Sequence, residues 1–377
     1  METGYVIPPI SEAPQEPQPA PKKTHWKALV FALLGLVGVL LLLGFIFAEQ
    51  FSIGFLQKSR LGDLSVPEGL GGQIFLTLNP KNGDGLAPYV FDIDTNSLKL
   101  LGDETVPGKG EVHTLYHSLS SDGAWGSFVG VVDKEYEAAG QNMAVAQVYR
   151  TNLNDAQDME AAFDQGEAVT YVVAAQKRLP SISRQGEIVY VSRGRGVADK
   201  NINPLNDAES WVVYYVDNDG VERFVDFGIS PKWVDDAHFV FWKNDGMYLY
   251  SVTDSTSKKI WGSHGAILSN MKMDVSDDGR VVAWSAPDSG RVFILEALDW
   301  SLPSLRLKNI IDTHGFWVAV SPDGTHLAVQ EVDWESLSTN PRPRIVFYNL
   351  ETLEKVPFEV DLDAYWQETM FMTDWVK

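Results

Sequence analysis

The chain has no cysteine. Disulfides, thiolate nucleophiles and cysteine-held zinc are thereby excluded, and stability has to come from packing. Basic residues are also scarce: 30 Lys and Arg stand against 51 Asp and Glu, a formal net charge of −21. A surface of that sign repels phosphate backbones and argues against nucleic acid as a partner; it keeps an exposed domain soluble. Long charged helical stretches, a Gly-x-Ser-x-Gly nucleophile elbow and a His-Glu-x-x-His zinc motif are all missing. What the 377 residues do contain is 12 Trp, 13 Tyr, 18 Phe and 31 Gly. That balance favours a β-rich globular body over a helical bundle or a disordered chain.

Long apolar runs are limited to one. Residues 28–48, "ALVFALLGLVGVLLLLGFIFA", carry no charged or polar side chain. At about 1.5 Å per residue such a helix is about 30 Å long, the thickness of a bilayer core. A cleavable signal peptide has an apolar stretch of about 7–15 residues and a small residue where Ile46 stands, so an uncleaved anchor is expected. Lys22, Lys23 and Lys27 flank one end and Glu49 the other. The positive-inside rule then places the N-terminus in the cytoplasm and everything after residue 49 outside it. Residues 1–27 include "PPISEAPQEPQPAPKK", too poor in apolar surface to fold, and are expected to be a disordered Pro-rich cytoplasmic tail. Residues 49–72 have no clear period and end in glycines, as a juxtamembrane stalk would; the folded domain is expected over 73–377.

Within 73–377 one short pattern recurs. "LSSDG" (119–123), "ISRQG" (182–186), "WVDDA" (233–237), "VSDDG" (275–279), "VSPDG" (320–324) and a terminal "FMTDW" (371–375) each begin with an apolar residue, and most carry an acidic residue fourth. Their fifth positions lie 63, 51, 42, 45 and 51 residues apart, the range of a four-stranded propeller blade with loops of varying length. In the clearest unit "MKMDV" reads as a strand, "SDDG" as a turn with Gly279 at positive φ, and "RVVAWSA" as the returning strand. "RVFILEAL" and "LRLKNII" supply two more. In the second unit "KEYEAAGQNM" and "DAQDMEAAFDQGE" are expected to be surface excursions. "GGQIFLTLNP" looks like the second strand of a blade whose first strand is "TMFMTDW" at the other end of the sequence. Joining them closes a ring of six blades and pairs otherwise exposed sheet edges.

These repeats resemble the TolB-like, WD-type family of β-propellers, whose blades open with an apolar residue, Ser, Pro, Asp and Gly before a strand. The resemblance covers residues 73–377. It implies an all-β, six-bladed β-propeller with a C-terminal strand closing the first blade, here preceded by one transmembrane α-helix. It also implies extracytoplasmic scaffold and ligand-binding roles, and the propeller half of some serine peptidases. TolB itself has a small α/β domain before its propeller; this chain has a membrane span and stalk in that place.

The search for reactive chemistry returns little. "DVSDDG" (274–279) matches the first half of an EF-hand loop, but the twelfth position, where a bidentate carboxylate is required, is Ser285 inside a strand. No metal or other cofactor is assigned. His113 and His117, four apart in "HTLYH", would share one face of a regular strand, and without a third ligand they read as a solvated or hydrogen-bonded pair. The tryptophans in strands are expected to fill the wedges between blades. Trp300, Trp334 and Trp366 fall in expected loops and are the candidates for exposed contact.

The sequence therefore points to a single-pass membrane protein presenting an extracytoplasmic propeller as a non-catalytic interaction platform. Its partners would be the bilayer through residues 28–48 and a protein of an envelope complex, or a surface polymer. The alternative is a propeller-type glycan hydrolase or lyase with paired carboxylates in the central funnel, 5–10 Å apart by the usual geometry. A sensor relaying outside binding through the anchor is the weakest class, since the tail carries no signalling domain.

Overall fold

The computed structural model describes residues 66–79, 86–101, 112–138, 141–154, 159–170, 177–193, 211–262, 272–286, 290–300, 305–313, 315–332, 343–362 and 371–377. Contacts divide the chain into Met1–Leu56 and Gln57–Lys377, and all described residues belong to the second unit. The tail (1–27), the span (28–48) and the stalk up to residue 65 lie outside them. Among the described residues no helix is long and apolar enough to cross a membrane.

Among the described residues, twenty-four strands form six four-stranded antiparallel sheets. Blade 1 contains β1 (Gln73–Leu78), β2 (Ala87–Asp92) and β3 (Ser97–Leu100), and blade 2 contains β4 (Val112–Leu119), β5 (Trp125–Ala138), β6 (Gln141–Asn152) and β7 (Glu167–Ala168). A short helix, α1 (Met159–Asp164), precedes β7. Blade 3 is β8 (Lys177–Ile182), β9 (Ile188–Arg193), β10 (Trp211–Val216) and β11 (Glu222–Phe227). Blade 4 is β12 (Ile229–Trp233), β13 (His238–Lys243), β14 (Gly246–Ser251) and β15 (Thr256–Gly262). Blade 5 is β16 (Met273–Val275), β17 (Val281–Ala286), β18 (Arg291–Ala297) and β19 (Leu305–Asp312). Blade 6 is β20 (Val318–Val320), β21 (His326–Val332), β22 (Pro343–Asn349) and β23 (Lys355–Asp361). The last strand, β24 (Phe371–Val376), pairs with β1 and completes blade 1.

The wedges between blades are filled as the aromatic content demands. Trp242 of blade 4 meets Trp284 of blade 5 with ring centroids 4.4 Å apart, and Phe347 of blade 6 meets Trp375 of blade 1 at 5.6 Å. Burying such rings contributes about 2–3 kcal/mol each, and edge-to-face geometry adds to it. Three of the repeat turns are built alike: the Ser hydroxyl donates to the Asp carboxylate, at 2.6 Å in Ser120–Asp122, 2.7 Å in Ser276–Asp278 and 2.6 Å in Ser321–Asp323. Gly279 follows at φ +71°, and a Cβ there would lie 2.3 Å from the Val234 carbonyl oxygen, so only glycine fits.

Three expectations need correcting. In the closing strand Asp374 pairs with Phe75 and the register then slips before Leu76. The same slip precedes Ser118 in β4, Ser181 in β8 and Lys232 in β12. Trp375, not Phe371, therefore holds the apolar first position of the repeat, while the strand expected over "TMFMTDW" is present as β24. In blade 2, "KEYEAAGQNM" is the tip of a long β5–β6 hairpin rather than an excursion. The second excursion holds α1, whose Phe163 is buried with its ring 5.6 Å from that of Phe128. Finally, the slip between Leu115 and Ser118 breaks the strand alternation that placed His113 and His117 on one face. His117 is buried, with its ring stacked 5.4 Å from Phe128 and edge-on to Phe163 at 4.8 Å, a site for a neutral imidazole. Burial pushes its pKa down to about 3. The side chain of His113 lies outside the description.

At three of these slips a residue other than glycine takes a left-handed conformation: Tyr116 at φ 56°, Leu179 at 51° and Ser230 at 50°. Each stands two positions before the end of the inner strand's axial register, in consecutive blades. Such conformations cost about 1–2 kcal/mol each, so the surrounding structure enforces them.

Candidate functional site

The inner strands β4, β8, β12, β16, β20 and β24 contact one another in a closed ring. An inner strand has a sheet neighbour on one side only, so its axial N–H groups need other partners. The position just before the repeat's apolar residue supplies them. It is Ser118, Ser181, Lys232, Asp274, Ala319 and Asp374 around the ring. Asp374 accepts the N–H of Leu119 at 3.0 Å, Ser181 that of Trp233 at 3.3 Å, and Asp274 that of Val320 at 2.8 Å. Alternate blades thus cap the next blade's backbone.

Lys232 joins this ring across the axis. Its ammonium lies 2.9 Å from Asp274 and 2.8 Å from Asp374. Burial alone would lower its pKa, but the two carboxylates outweigh that and hold it above the ordinary lysine range. Asp374 also receives the Ser118 hydroxyl at 2.9 Å. Burial opposes its ionisation, yet Lys232 and Lys272 with these hydrogen bonds keep its pKa below the usual carboxylate value. Lys272, two positions before Asp274, is buried and donates to the Thr373 carbonyl; burial and the nearby Lys232 hold its pKa down to about 8.

Beyond the ring the axis opens into a funnel of about 350 Å³, lined by Ser121, Arg184, Asp235, Asp236 and Asp277 above Asp374. The third positions Ser121, Arg184, Asp235 and Asp277 thus line the cavity together with the fourth-position Asp236, while the carboxylates of the fourth-position Asp122 and Asp278 accept hydrogen bonds within their own turns. Burial and the charge of Asp374 push the carboxyl of Asp277 up to about 7. Arg184 lies across the mouth, donating to Ser121 of blade 2 at 2.7 Å and reaching the Asp277 carbonyl of blade 5 at 3.5 Å.

Of the tryptophans expected at the surface, Trp300 is 9 % exposed and its indole N–H donates to the Gly279 carbonyl at 2.9 Å. It is a strut beneath a blade turn, not a contact residue, because the turn leaves an unpaired carbonyl that the indole satisfies. Trp334 and Trp366 lie outside the described residues. Among the described residues no cluster of three or more His, Asp or Glu is placed to hold a metal ion. Lys232, Asp274, Asp277 and Asp374 were not singled out by the sequence. Lys232, Asp274 and Asp374 stand immediately before the apolar residue of a repeat and Asp277 two after it, but the residue at the first of these positions varies from Ser and Lys to Ala319 and makes no motif.

No family model and no curated protein sequence matches the chain. Solved structures do. TolB from Acinetobacter baumannii is similar over 82 % of this chain and 68 % of its own, with 14 % identity and a TM-score of 0.52. A putative TolB from Agrobacterium tumefaciens covers 78 % of this chain and 91 % of its own, at 12 % identity and a TM-score of 0.46. An oligogalacturonate lyase in complex with manganese covers 72 % and 70 %, at 14 % identity and 0.46. At these identities the likeness is one of fold, and in fold the chain is similar to the six-bladed TolB-like propellers.

Proposed function

We propose that the protein is a membrane-anchored, extracytoplasmic propeller that binds a protein partner, or a surface polymer, at its funnel mouth without catalysing a reaction. The observation that carries this reading is the commitment of the axial carboxylates. Asp274 and Asp374 are both engaged by Lys232 and by a backbone N–H of the following blade, so each serves to tie blades together. The funnel above them is open, polar and rimmed by turn residues of several blades, which suits recognition by a rigid platform. The anchor and the outside location rest on residues 28–48 and their flanking charges.

One observation favours the enzymatic alternative, a glycan hydrolase or lyase. Asp277 is pushed up to about 7 while Asp374, which acts on it, is held below the usual range, and divergent carboxyl pKa values are a mark of acid–base pairs. The engagement of Asp374 by Lys232, Ser118 and Leu119 weighs against it as a nucleophile.

The deciding experiment places a photo-crosslinking side chain at Asp236 in the full-length protein in intact membranes. A discrete crosslinked protein or polymer, absent when the crosslinker replaces exposed Asp245 in the β13–β14 turn at the opposite end of blade 4, supports the platform reading. Turnover of oligosaccharides that is lost in Asp277→Asn would replace it with the enzymatic one. Protease added to intact cells should cleave beyond residue 49; complete protection would overturn the outside location.

A further inference from the structure

We propose that the waist of the axial channel, below the Lys232 ring, is a binding site for one small monovalent anion of the halide class. This site is separate from the funnel and does not depend on what the mouth binds.

A cavity of about 10 Å³ lies there, lined by Tyr116, Ser181, Ser230, Lys232, Lys272 and Thr373. That is room for a single water-sized occupant. The waist is a built feature. The three left-handed residues Tyr116, Leu179 and Ser230 all line it, so three consecutive blades carry backbone strain to shape this point.

Its polar groups are nearly all donors. Ser181 and Ser230 each accept a backbone N–H, from Trp233 at 3.3 Å and Met273 at 2.7 Å, which leaves their hydroxyl hydrogens to give away. Lys232 spends two of its three N–H groups on Asp274 and Asp374. Lys272 gives one to the Thr373 carbonyl, and the carboxylates that act on it, Asp274 and Asp374, are held by Lys232. The Thr373 hydroxyl donates to the Phe75 carbonyl at 3.2 Å. Pro180 and Pro231 line the cavity with no N–H of their own. A water placed here would have to donate to oxygens that each already accept a hydrogen bond, the Thr373 carbonyl from Lys272 and the two serines from backbone N–H groups. An anion donates none, accepts from both serines and both lysines, and compensates a buried ammonium whose charge is otherwise disfavoured, as the depressed pKa of Lys272 records.

The test is thermal unfolding of the full-length protein in sodium chloride and in sodium gluconate at the same ionic strength, about 0.15 M. Chloride should raise the melting temperature by about 2 °C or more, and bromide should do the same. Lys272→Met should melt at one temperature in both salts. Because that variant can fail to fold, crystals of the unaltered protein grown in bromide give an independent answer: an anomalous scattering peak at the waist supports the site. Equal melting in chloride and gluconate, or a bromide crystal with only a water at the waist, overturns it.

Discussion

The carboxylate of Asp374 accepts the backbone N–H of Leu119 at 3.0 Å across 255 positions of sequence. One bond thus ties the last strand to the inner strand of the second blade, and the same carboxylate holds Lys232 of the fourth. Replacing Asp374 with Ala strips Lys232 of one partner and leaves Leu119 unpaired. The expected cost is about 3–5 kcal/mol in urea unfolding of the full-length protein. An unaltered midpoint would show that the axial ring contributes nothing to closure.

Asp277 makes stability fall as pH rises. Its carboxyl sits at about 7 in the folded protein against an ordinary 3.8, so between those values the folded state holds the proton more tightly. The stabilising effect is complete at low pH and is lost as pH climbs through 7. Asp277→Asn should therefore melt about 2 °C higher than the unaltered protein at pH 8 and no higher at pH 4.

His117 acts in the opposite direction. With its pKa near 3 in the aromatic cage and an ordinary 6.5 outside it, its contribution is present above pH 6.5 and is lost as pH falls toward 3. His117→Phe keeps the ring stacking and removes the titration. The variant should lose less stability than the unaltered protein between pH 6.5 and pH 4, measured as the change in urea midpoint.

Trp300 distinguishes a strut from a contact residue. Trp300→Ala should cost about 3–5 kcal/mol of stability, and Trp300→Phe about 1 kcal/mol for the lost hydrogen bond to Gly279. Crosslinking of a partner at the funnel mouth should persist in Trp300→Phe. A folded Trp300→Phe protein that no longer captures the partner would restore Trp300 to the binding surface.

The propeller was legible because its unit is local. An apolar residue, a Ser, an Asp and a Gly at positive φ make a turn from five adjacent residues; three such turns survive intact and two in degenerate form, with recognisable spacing. The axial site was not legible for two reasons. First, a one-residue slip changes which side chains face the axis, and the slips just before Ser118, Ser181, Lys232 and Asp374 follow no local sequence rule. Asp374 was counted as the fourth residue of a repeat, instead of the residue before its apolar start, for that reason. Second, Lys232, Asp274 and Asp374 belong to blades 4, 5 and 1, and only ring closure brings them together. Trp300 was misjudged because a loop residue need not be exposed when a nearby turn offers it an unpaired carbonyl.

The closing pair has a mechanical consequence. Gln73, the first residue of β1, pairs with Val376, the last of β24. A force drawing the N-terminal side of β1 and the C-terminal end of β24 apart would meet the ladder at that end and break its hydrogen bonds one at a time, as a zipper opens, instead of loading them together in shear. Under tension the ring should open at this seam first, with the other five blades intact. In an optical trap that appears as a small, low-force extension preceding the main rupture.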